Sequence, residues 1–331
     1  MSRPKTEKVN LLKAKLIVRL NDGFHKPGDL FLSNRALVKR YGISYQTAHR
    51  VVTELTAEGL LVRRPASGTY VAGKRSLLRG VELWFHPRAQ RPGSFGANLL
   101  DFLQRGLREA KLPYLVRWAG NNARLSPHHY PVLWEVPELL AEATSARRYA
   151  LLLNDRPEPG LKATLIDAVA TDDFSAGVCA AEALLERAPT GRRFLVLAGP
   201  ADDKRSTNRV DGFLSRLPKG RVLSAGGWYL EDGAKVAPQA LAVGKDGIFC
   251  VNDRLAEALL VHCHGHKVRH PPIIGHDNAP VAEELHLSTI AIAWEEMTSV
   301  AVETIRSRLA GHSGNARHII LTQRPVYRLT T

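Results

Sequence analysis

The sequence predicts a mixed α/β chain in two parts: a small head of three helices and a β-hairpin, then a larger, two-lobed body of alternating strands and helices. Three observations predict it. Excess positive charge is confined to the first quarter: residues 1–80 hold 16 Lys/Arg against 5 Asp/Glu, and the remaining residues hold 30 against 27. Apolar residues recur at helical spacing up to Gly59 and then form two short strand-like runs around a glycine-containing turn. From Val81 onward, short apolar runs alternate with helical stretches, the pattern of βαβ units and parallel sheets. The expected boundaries are 1–72 for the head, 73–80 for a linker and 81–331 for the body.

In the head, Leu11-Leu12, Leu16-Ile17 and Leu20 predict an amphipathic helix over roughly 7–21, ended by Asp22-Gly23. Lys26-Pro27-Gly28-Asp29 reads as a turn. Ser33 is an N-cap for a second helix, Asn34–Tyr41. Gly42 permits a tight turn, and Ser44 caps a third helix running to Glu58 that turns Ala48, Val51, Val52 and Leu55 inward. Leu60–Arg64 and Thr69–Val71 flank Pro65-Ala66-Ser67-Gly68 as a hairpin.

The polar face of the third helix carries Tyr45, Gln46, His49 and Arg50 within its first two turns. Four hydrogen-bonding side chains there suit base edges in a DNA major groove. The segregated positive charge suits a polyanion. For Thr47 the alternative is a phosphate bond that positions without specifying, for Tyr45 it is packing on a sugar or a thymine methyl, and for His49 it is a solvated surface.

Residues 11–72 resemble the winged helix of GntR-type bacterial regulators. The resemblance rests on Lys26-Pro-Gly-Asp-Leu30, Ser33-Asn-Arg-Ala-Leu37, Tyr41-Gly-Ile-Ser44, Leu55-Thr-Ala-Glu-Gly-Leu60 and Ser67-Gly-Thr-Tyr-Val71. It implies double-stranded operator DNA as partner. It also implies that Arg35 contacts phosphate and base edges, that Tyr45, Gln46, Thr47, His49 and Arg50 serve the major groove, and that Gly68 and Thr69 bring a wing to the minor groove. The family usually has arginine at Tyr45 and often at His49, so the operator should differ from usual GntR sites.

In the body, strand-like runs are Val81–Phe85, Tyr114–Trp118, Val132–Trp134, Tyr149–Leu153, Leu165–Val169, Phe194–Leu197, Ile248–Val251 and Ile273-Ile274. Helices are expected over Ala97–Ala110, Pro137–Ala146, Ala176–Arg187, Ser206–Leu217, Ala234–Leu241, Asp253–Cys263 and Glu295–Leu309. Ligands of such sheets bind at the carboxyl ends of strands.

Arg209-Val-Asp-Gly-Phe213, Gly247–Asp253, Ile273-Ile-Gly-His-Asp-Asn278, and Glu295-Glu-Met297 with Ala301-Val302 resemble the periplasmic-binding-protein-like effector domain of LacI/GalR-type repressors, with His276 replacing an aromatic. The resemblance implies a small effector, a sugar or polyol, held between two lobes by Arg209, Asn252 and Asp277. Phe95 or Trp294 would stack on the ring, and Asp155 is a further candidate. An arginine fork, a carboxylate and an amide can satisfy vicinal hydroxyls. The competing assignments are helix caps for Asn252 and Asp277, and core packing for Phe95 and Trp294. Head and body together resemble a homodimeric, ligand-responsive repressor of the arabinose-repressor type.

Other classes are weighed against this. His262, Cys263, His264, His266 and His270 are able metal ligands, but their spacing fits no standard site and no metal is expected. No phosphate loop or nucleophile motif occurs, so neither cofactor nor catalysis is expected; a sugar hydrolase using Asp172 or Asp173 is the remote alternative. A regulator answering to a protein, or to no ligand, is the nearer one. Cys179, Cys250 and Cys263 are too few and too scattered for a disulfide framework. No apolar run of membrane-spanning length and no signal-like start is present, so a cytoplasmic location without membrane contact is expected.

Overall fold

A computed structural model describes residues 5–21, 25–26, 28–65, 67–72, 78–157, 165–312 and 314–331. The expected helix stop at Asp22-Gly23, Pro27 of the first turn, Ala66 of the hairpin turn and residues 73–77 of the linker lie outside the described residues.

The head contains α1 (Lys5–Asn21), α2 (Asn34–Tyr41) and α3 (Tyr45–Ala57), followed by β1 (Leu61–Arg64) and β2 (Gly68–Val71). Val9, Leu12 and Leu16 recur every three or four residues on α1 and bury against Leu37, Val51 and Leu55. The helices start where a side chain can satisfy free backbone N–H groups. Ser33 Oγ accepts from the Ala36 N–H, and Ser44 Oγ accepts from the Thr47 N–H, each at 3.2 Å. β1 and β2 pair antiparallel with Leu61 opposite Val71 and Arg64 opposite Gly68. The other edge of β2 is covered by the chain before α2: the Phe31 N–H donates to the Thr69 carbonyl at 2.8 Å and the Val71 N–H to the Asp29 carbonyl at 2.9 Å. The hairpin is thus pinned on both sides, which two isolated short strands would lack.

The rest of the chain runs through β3 (Gly80–Phe85), α4 (Phe95–Glu109), β4 (Tyr114–Trp118), β5 (His129–Trp134), α5 (Pro137–Ser145), β6 (Ala150–Leu153) and β7 (Ile166–Thr171). It continues through α6 (Asp173–Arg187), β8 (Phe194–Ala198), α7 (Lys204–Arg216), β9 (Arg221–Ser224), α8 (Leu230–Val243), β10 (Gly247–Cys250), α9 (Asp253–Gly265) and β11 (Ile273–Asp277). It ends with α10 (Pro280–Glu284), β12 (Ser288–Ala291), α11 (Trp294–Leu309), β13 (His318–Leu321) and β14 (Arg324–Val326). One six-stranded sheet has the order β4-β3-β5-β6-β7-β13 and the other β9-β8-β10-β11-β12-β14. Pairing is parallel from β4 to β7 and from β9 to β12, as the alternation predicted; β14 joins β12 antiparallel. β9, α10 and β12–β14 were not read from the sequence. β9 and β14 are short edge strands with mixed polarity, and β12, Ser-Thr-Ile-Ala, has no apolar run.

The chain forms two compact units, one of residues 1–87, 103–169 and 299–318, the other of 88–102, 170–298 and 319–331. In the first, Leu133, Leu139, Ala143 and Leu152 lie in a core around β5 and β6. In the second, Leu184, Phe213, Phe249 and Ile274 anchor a core on both faces of the β8–β10–β11 sheet.

Helices α6 and α7 of the second unit cross backbone against backbone. A Cβ on Gly177 would run into the Arg209 carbonyl, and one on Gly212 into the Phe174 carbonyl. Backbone cannot yield as a flexible side chain can, so glycine is required at both contacts. Gly212→Ala should therefore cost about 3 kcal/mol through forced overpacking. A lowered urea midpoint for the full chain checks this, and an unchanged midpoint contradicts the close crossing.

Candidate nucleic-acid interface and effector site

The exposed face of α3 presents Tyr45, Gln46, His49 and Arg50 to solvent, while Ala48, Val51, Val52 and Leu55 are buried behind them. Residues 41–44 place this face. Gly42 closes α2 in the left-handed region at φ 61°, and Ser44 then opens α3. Thr47 is half-buried and its hydroxyl lies 2.9 Å from Ser44 Oγ, so it belongs first to the cap. Tyr45 is 55% exposed and is not part of the core. Arg50 extends along the helix, where its Nε donates to Glu54 at 3.0 Å, yet its side chain stays 62% exposed. Arg35 is exposed on the first turn of α2.

The hairpin adds a second basic edge. Gly68 sits at φ 127°, a conformation that only glycine adopts easily, and is exposed beside half-buried Thr69. The guanidinium of Arg64 lies 4.6 Å over the Tyr70 ring, and the Arg63 guanidinium donates to Thr53 Oγ1 on α3 at 3.1 Å. Two exposed positive elements, a helix face and a hairpin, thus stand on one small core.

The expected effector residues have different fates. Arg209, Asn252, Asp277, Phe95 and Trp294 belong to the second unit, whereas Asp155 lies in the first. Asp155 is exposed, and its carboxylate accepts from the adjacent Arg156 N–H at 2.7 Å. Asn252 is a helix cap. Its Oδ1 accepts from the Leu255 N–H at 2.9 Å and its Nδ2 donates to the Trp228 carbonyl at 2.8 Å, so the amide is spent on structure. Trp294 is core: it is 4% exposed, lies parallel to Phe102 at 5.4 Å, and donates its Nε1–H to the Asp277 carbonyl at 2.9 Å. Phe95 is half-buried with its ring 5.0 Å from Trp294.

Arg209 and Asp277 do come together. Arg209 is 3% exposed; its Nε donates to Asp173 at 2.8 Å and its Nη1 to the Val251 carbonyl at 2.6 Å. Arg209 Nη1 also lies 3.9 Å from Asp277 Oδ1. Asp277 is no helix cap: the Ala279 N–H donates instead to Asp253 at 2.8 Å. Sequence reading missed Trp228, whose ring centre is 6.0 Å from the Arg209 guanidinium. Its indole N–H is buried without a hydrogen-bond partner among the described residues. The signal available was a tryptophan following Gly226-Gly227 at a strand end. Asp173, considered only as a catalytic acid, is the structural counter-ion of Arg209.

Burial, together with the nearby Arg209 charge, lowers the His276 imidazole below its ordinary range, against the pull of Asp277. Burial and then the Asp277 charge push the fully buried Asp253 carboxyl well up; it accepts from Thr289 Oγ1 at 2.7 Å as well as from Ala279. Among the described residues, no group of three His, Cys, Asp or Glu side chains converges as a metal site, and His262 and His266 simply stack 4.1 Å apart. No helix among them is long and apolar enough to cross a membrane.

Comparison with known proteins matches both halves of this arrangement. Residues 9–71 match the family of bacterial regulatory proteins of the gntR type, and residues 182–331 match the periplasmic binding protein-like domain. The head is a GntR-type winged helix and the body a periplasmic-binding-protein-like domain. A curated relative, the arabinose metabolism transcriptional repressor of Halalkalibacterium halodurans, is 24% identical over 91% of this chain and 88% of its own. A transcriptional regulator solved as a cellobiose complex shares the fold over 99% of this chain and 100% of that one, with TM-score 0.65 and 18% identity. A LacI family transcriptional regulator from Enterococcus faecalis V583, solved with bound ribose, covers 76% of this chain and 98% of that one, with TM-score 0.62 and 18% identity. The chain is a DNA-binding transcriptional regulator that joins a GntR-type head to a periplasmic-binding-protein-like domain.

Within the GntR-type head, Glu54 accepts from Lys13 and Arg50, and these two bonds hold its carboxyl below the usual glutamate range. A depressed folded-state value means stability is gained above the unfolded-state value and lost as pH falls through the folded one. Glu54→Gln should flatten the acid limb of the head's melting transition between about pH 5 and 3. Parallel acid limbs for variant and wild type in circular-dichroism melts contradict this.

Proposed function

We propose that this regulator is a cytoplasmic repressor whose hold on operator DNA is set by a neutral sugar bound at the Arg209–Asp277 cluster. One observation carries the effector part: unspent hydrogen-bonding groups gather around Arg209. Among the described residues Arg209 Nη2 and Asp277 Oδ2 have no partner, and the Trp228 indole N–H is unpaired close by. A buried N–H such as that of Trp228 is normally satisfied, so a ligand that pairs it gains the difference. Two carboxylates, Asp173 and Asp277, surround one guanidinium. A sugar acid would bring a third negative charge, whereas hydroxyls can donate to Asp277 and accept from Arg209. The partly buried Trp228 ring supplies an apolar face for a sugar ring. The relatives solved with ribose and cellobiose and the arabinose metabolism repressor support the same ligand class.

For DNA, Gln46 and Arg50 would read base edges, with Tyr45, Thr47 and His49 beside them. Arg35 would bind phosphate, and Gly68 and Thr69 would bring the wing into the neighbouring minor groove. A two-fold homodimer would set two heads on a palindromic operator.

Confinement of charge to the head predicts that affinity for duplex DNA falls roughly a thousandfold between about 50 and 200 mM salt. Fluorescence anisotropy with a duplex probe measures this, and a flat profile would reject a phosphate-dominated interface. Arg50→Ala and Gln46→Ala should erase the preference for an operator selected from a randomised duplex library. For the effector site, titration with L-arabinose, D-ribose and cellobiose should find a binder, and Asp277→Ala should weaken it by roughly a hundredfold. The Asp277→Ala protein should keep its DNA affinity. Sugar binding that survives Asp277→Ala would remove Asp277 from the site, and no binding by wild type would favour a protein signal or none.

A further inference from the structure

The residue beside Asp277 is a buried histidine. His276 is 0% exposed, and each ring nitrogen has one partner. Nδ1 lies 2.7 Å from Asp277 Oδ1, and Nε2 lies 2.6 Å from Gln323 Nε2. Their chemistry fixes the direction of both bonds. Asp277, facing the Arg209 guanidinium, is an acceptor, so Nδ1 must carry the proton. In the neutral ring that burial favours, Nε2 is then a bare acceptor, and the Gln323 amide presents its NH2 group to it. That orientation leaves Gln323 Oε1 buried with no partner among the described residues, a cost accepted to hold the ring this way.

Asp277 shows a second sign of constraint. Its φ is 112°, in the region that favours glycine, although it carries a side chain. Non-glycine residues held there are strained and persist only when their surroundings over-determine them. Three contacts do so here: the Trp294 indole donates to the Asp277 carbonyl, the Asp277 carboxylate accepts from His276, and Arg209 faces the same oxygen.

We propose that His276 and Gln323 are positioning residues of the effector site: His276, as a neutral Nδ1–H imidazole locked by Gln323, aims the Asp277 carboxylate at the effector. The proposal rests on the reading that Asp277 binds a sugar hydroxyl. His276 occupies Asp277 Oδ1 and leaves Oδ2 for the ligand. The charged groups facing the imidazole are Asp277 on its own strand, Arg209 from α7 and Asp173 from α6. Burial and Arg209 together oppose a second proton on the ring, against the pull of Asp277 and Asp173. Gln323, at the far end of this relay, lies just past the point between residues 318 and 319 where the chain passes from the first unit into the second.

Two measurements on the full chain test this. In protein labelled with 15N-histidine, long-range 1H–15N spectra report the tautomer of His276, assigned by its loss in His276→Phe. The expected state from about pH 8 to 6 is a protonated Nδ1 and a bare Nε2; an Nε2–H tautomer or an imidazolium at neutral pH overturns the relay. Calorimetric titration of L-arabinose, D-ribose and cellobiose then compares wild type, His276→Phe and His276→Phe/Gln323→Leu. Phenylalanine keeps the ring volume but removes the donor, so affinity for the bound sugar should fall about tenfold. The double variant removes the stranded amide, so its melting temperature should recover while its sugar affinity does not. Affinity unchanged in His276→Phe, or restored along with stability in the double variant, leaves His276 a merely structural residue. If none of the three sugars binds wild type, the sugar reading of the site fails, and the tautomer measurement alone still upholds or overturns the His276 relay.

Discussion

Arg209 can stand where it does only because α6 and α7 approach without side chains between them. Gly177 and Gly212 let the two backbones touch, which brings Asp173, at the start of α6, within 2.8 Å of the Arg209 guanidinium. Taking this pair out of water costs several kcal/mol per ion, so it contributes little net stability. Its use is geometric. With Nε held by Asp173 and Nη1 by the Val251 carbonyl, the guanidinium has one orientation. A freely rotating arginine would lose that freedom on each binding event. The glycines in two helices thus determine the chemistry at a strand end.

The carboxyl ends of β10 and β11 carry a second fixed layer. Asn252 and Asp253, at the end of β10, spend their side chains on the α9 start, on the Trp228 carbonyl and on the Ala279 N–H. Asp253 is buried so completely that its carboxyl is driven towards the neutral form. With these two residues used as scaffold, Asp277 is left as the carboxylate with an oxygen to offer. Adjacent acidic and amide residues at one sheet edge therefore divide into frame and site. Hydrogen-bond bookkeeping separates them, although residue type does not.

The legibility of the sequence follows the same division. The head was readable nearly to the residue because its signals are local: Ser33 and Ser44 cap, Gly42 stops, and Gly68 turns, each through contacts within four residues. The parallel core was readable because strands buried on both faces are continuously apolar. β12 escaped because Ser288 and Thr289 are buried polar residues, satisfied by Arg328, Thr330 and Asp253 from distant parts of the chain. In the effector site, Arg209 and Asp277 followed from motif resemblance, but motif could not show that Asn252 is a cap and Trp294 a core ring. The roles of Trp228 and Gln323 depend on partners 19 and 47 positions away, so the sequence alone did not assign them.

Under the proposed function, the separation of rigid and strained groups bears on how the switch could work. A ligand shifts an equilibrium only by its difference in affinity for two arrangements, and moving from 1:99 to 99:1 takes about 5.5 kcal/mol. Arg209 is locked by its bonds to Asp173 and the Val251 carbonyl, so it offers a ligand one fixed orientation. Asp277 differs. Its backbone is strained at φ 112°, and its carboxylate and carbonyl are bonded to His276, Arg209 and Trp294. Trp294 and Gln323 both lie near points where the chain crosses between the two units, at 298/299 and 318/319. A ligand that bonds the strained form of Asp277 more tightly than a relaxed one would shift the balance between them. Charge-assisted hydrogen bonds are worth about 1.5–3 kcal/mol each, so two or three made in only one state supply the required difference. Asp277 would then supply the difference between states as well as the affinity that Asp277→Ala removes.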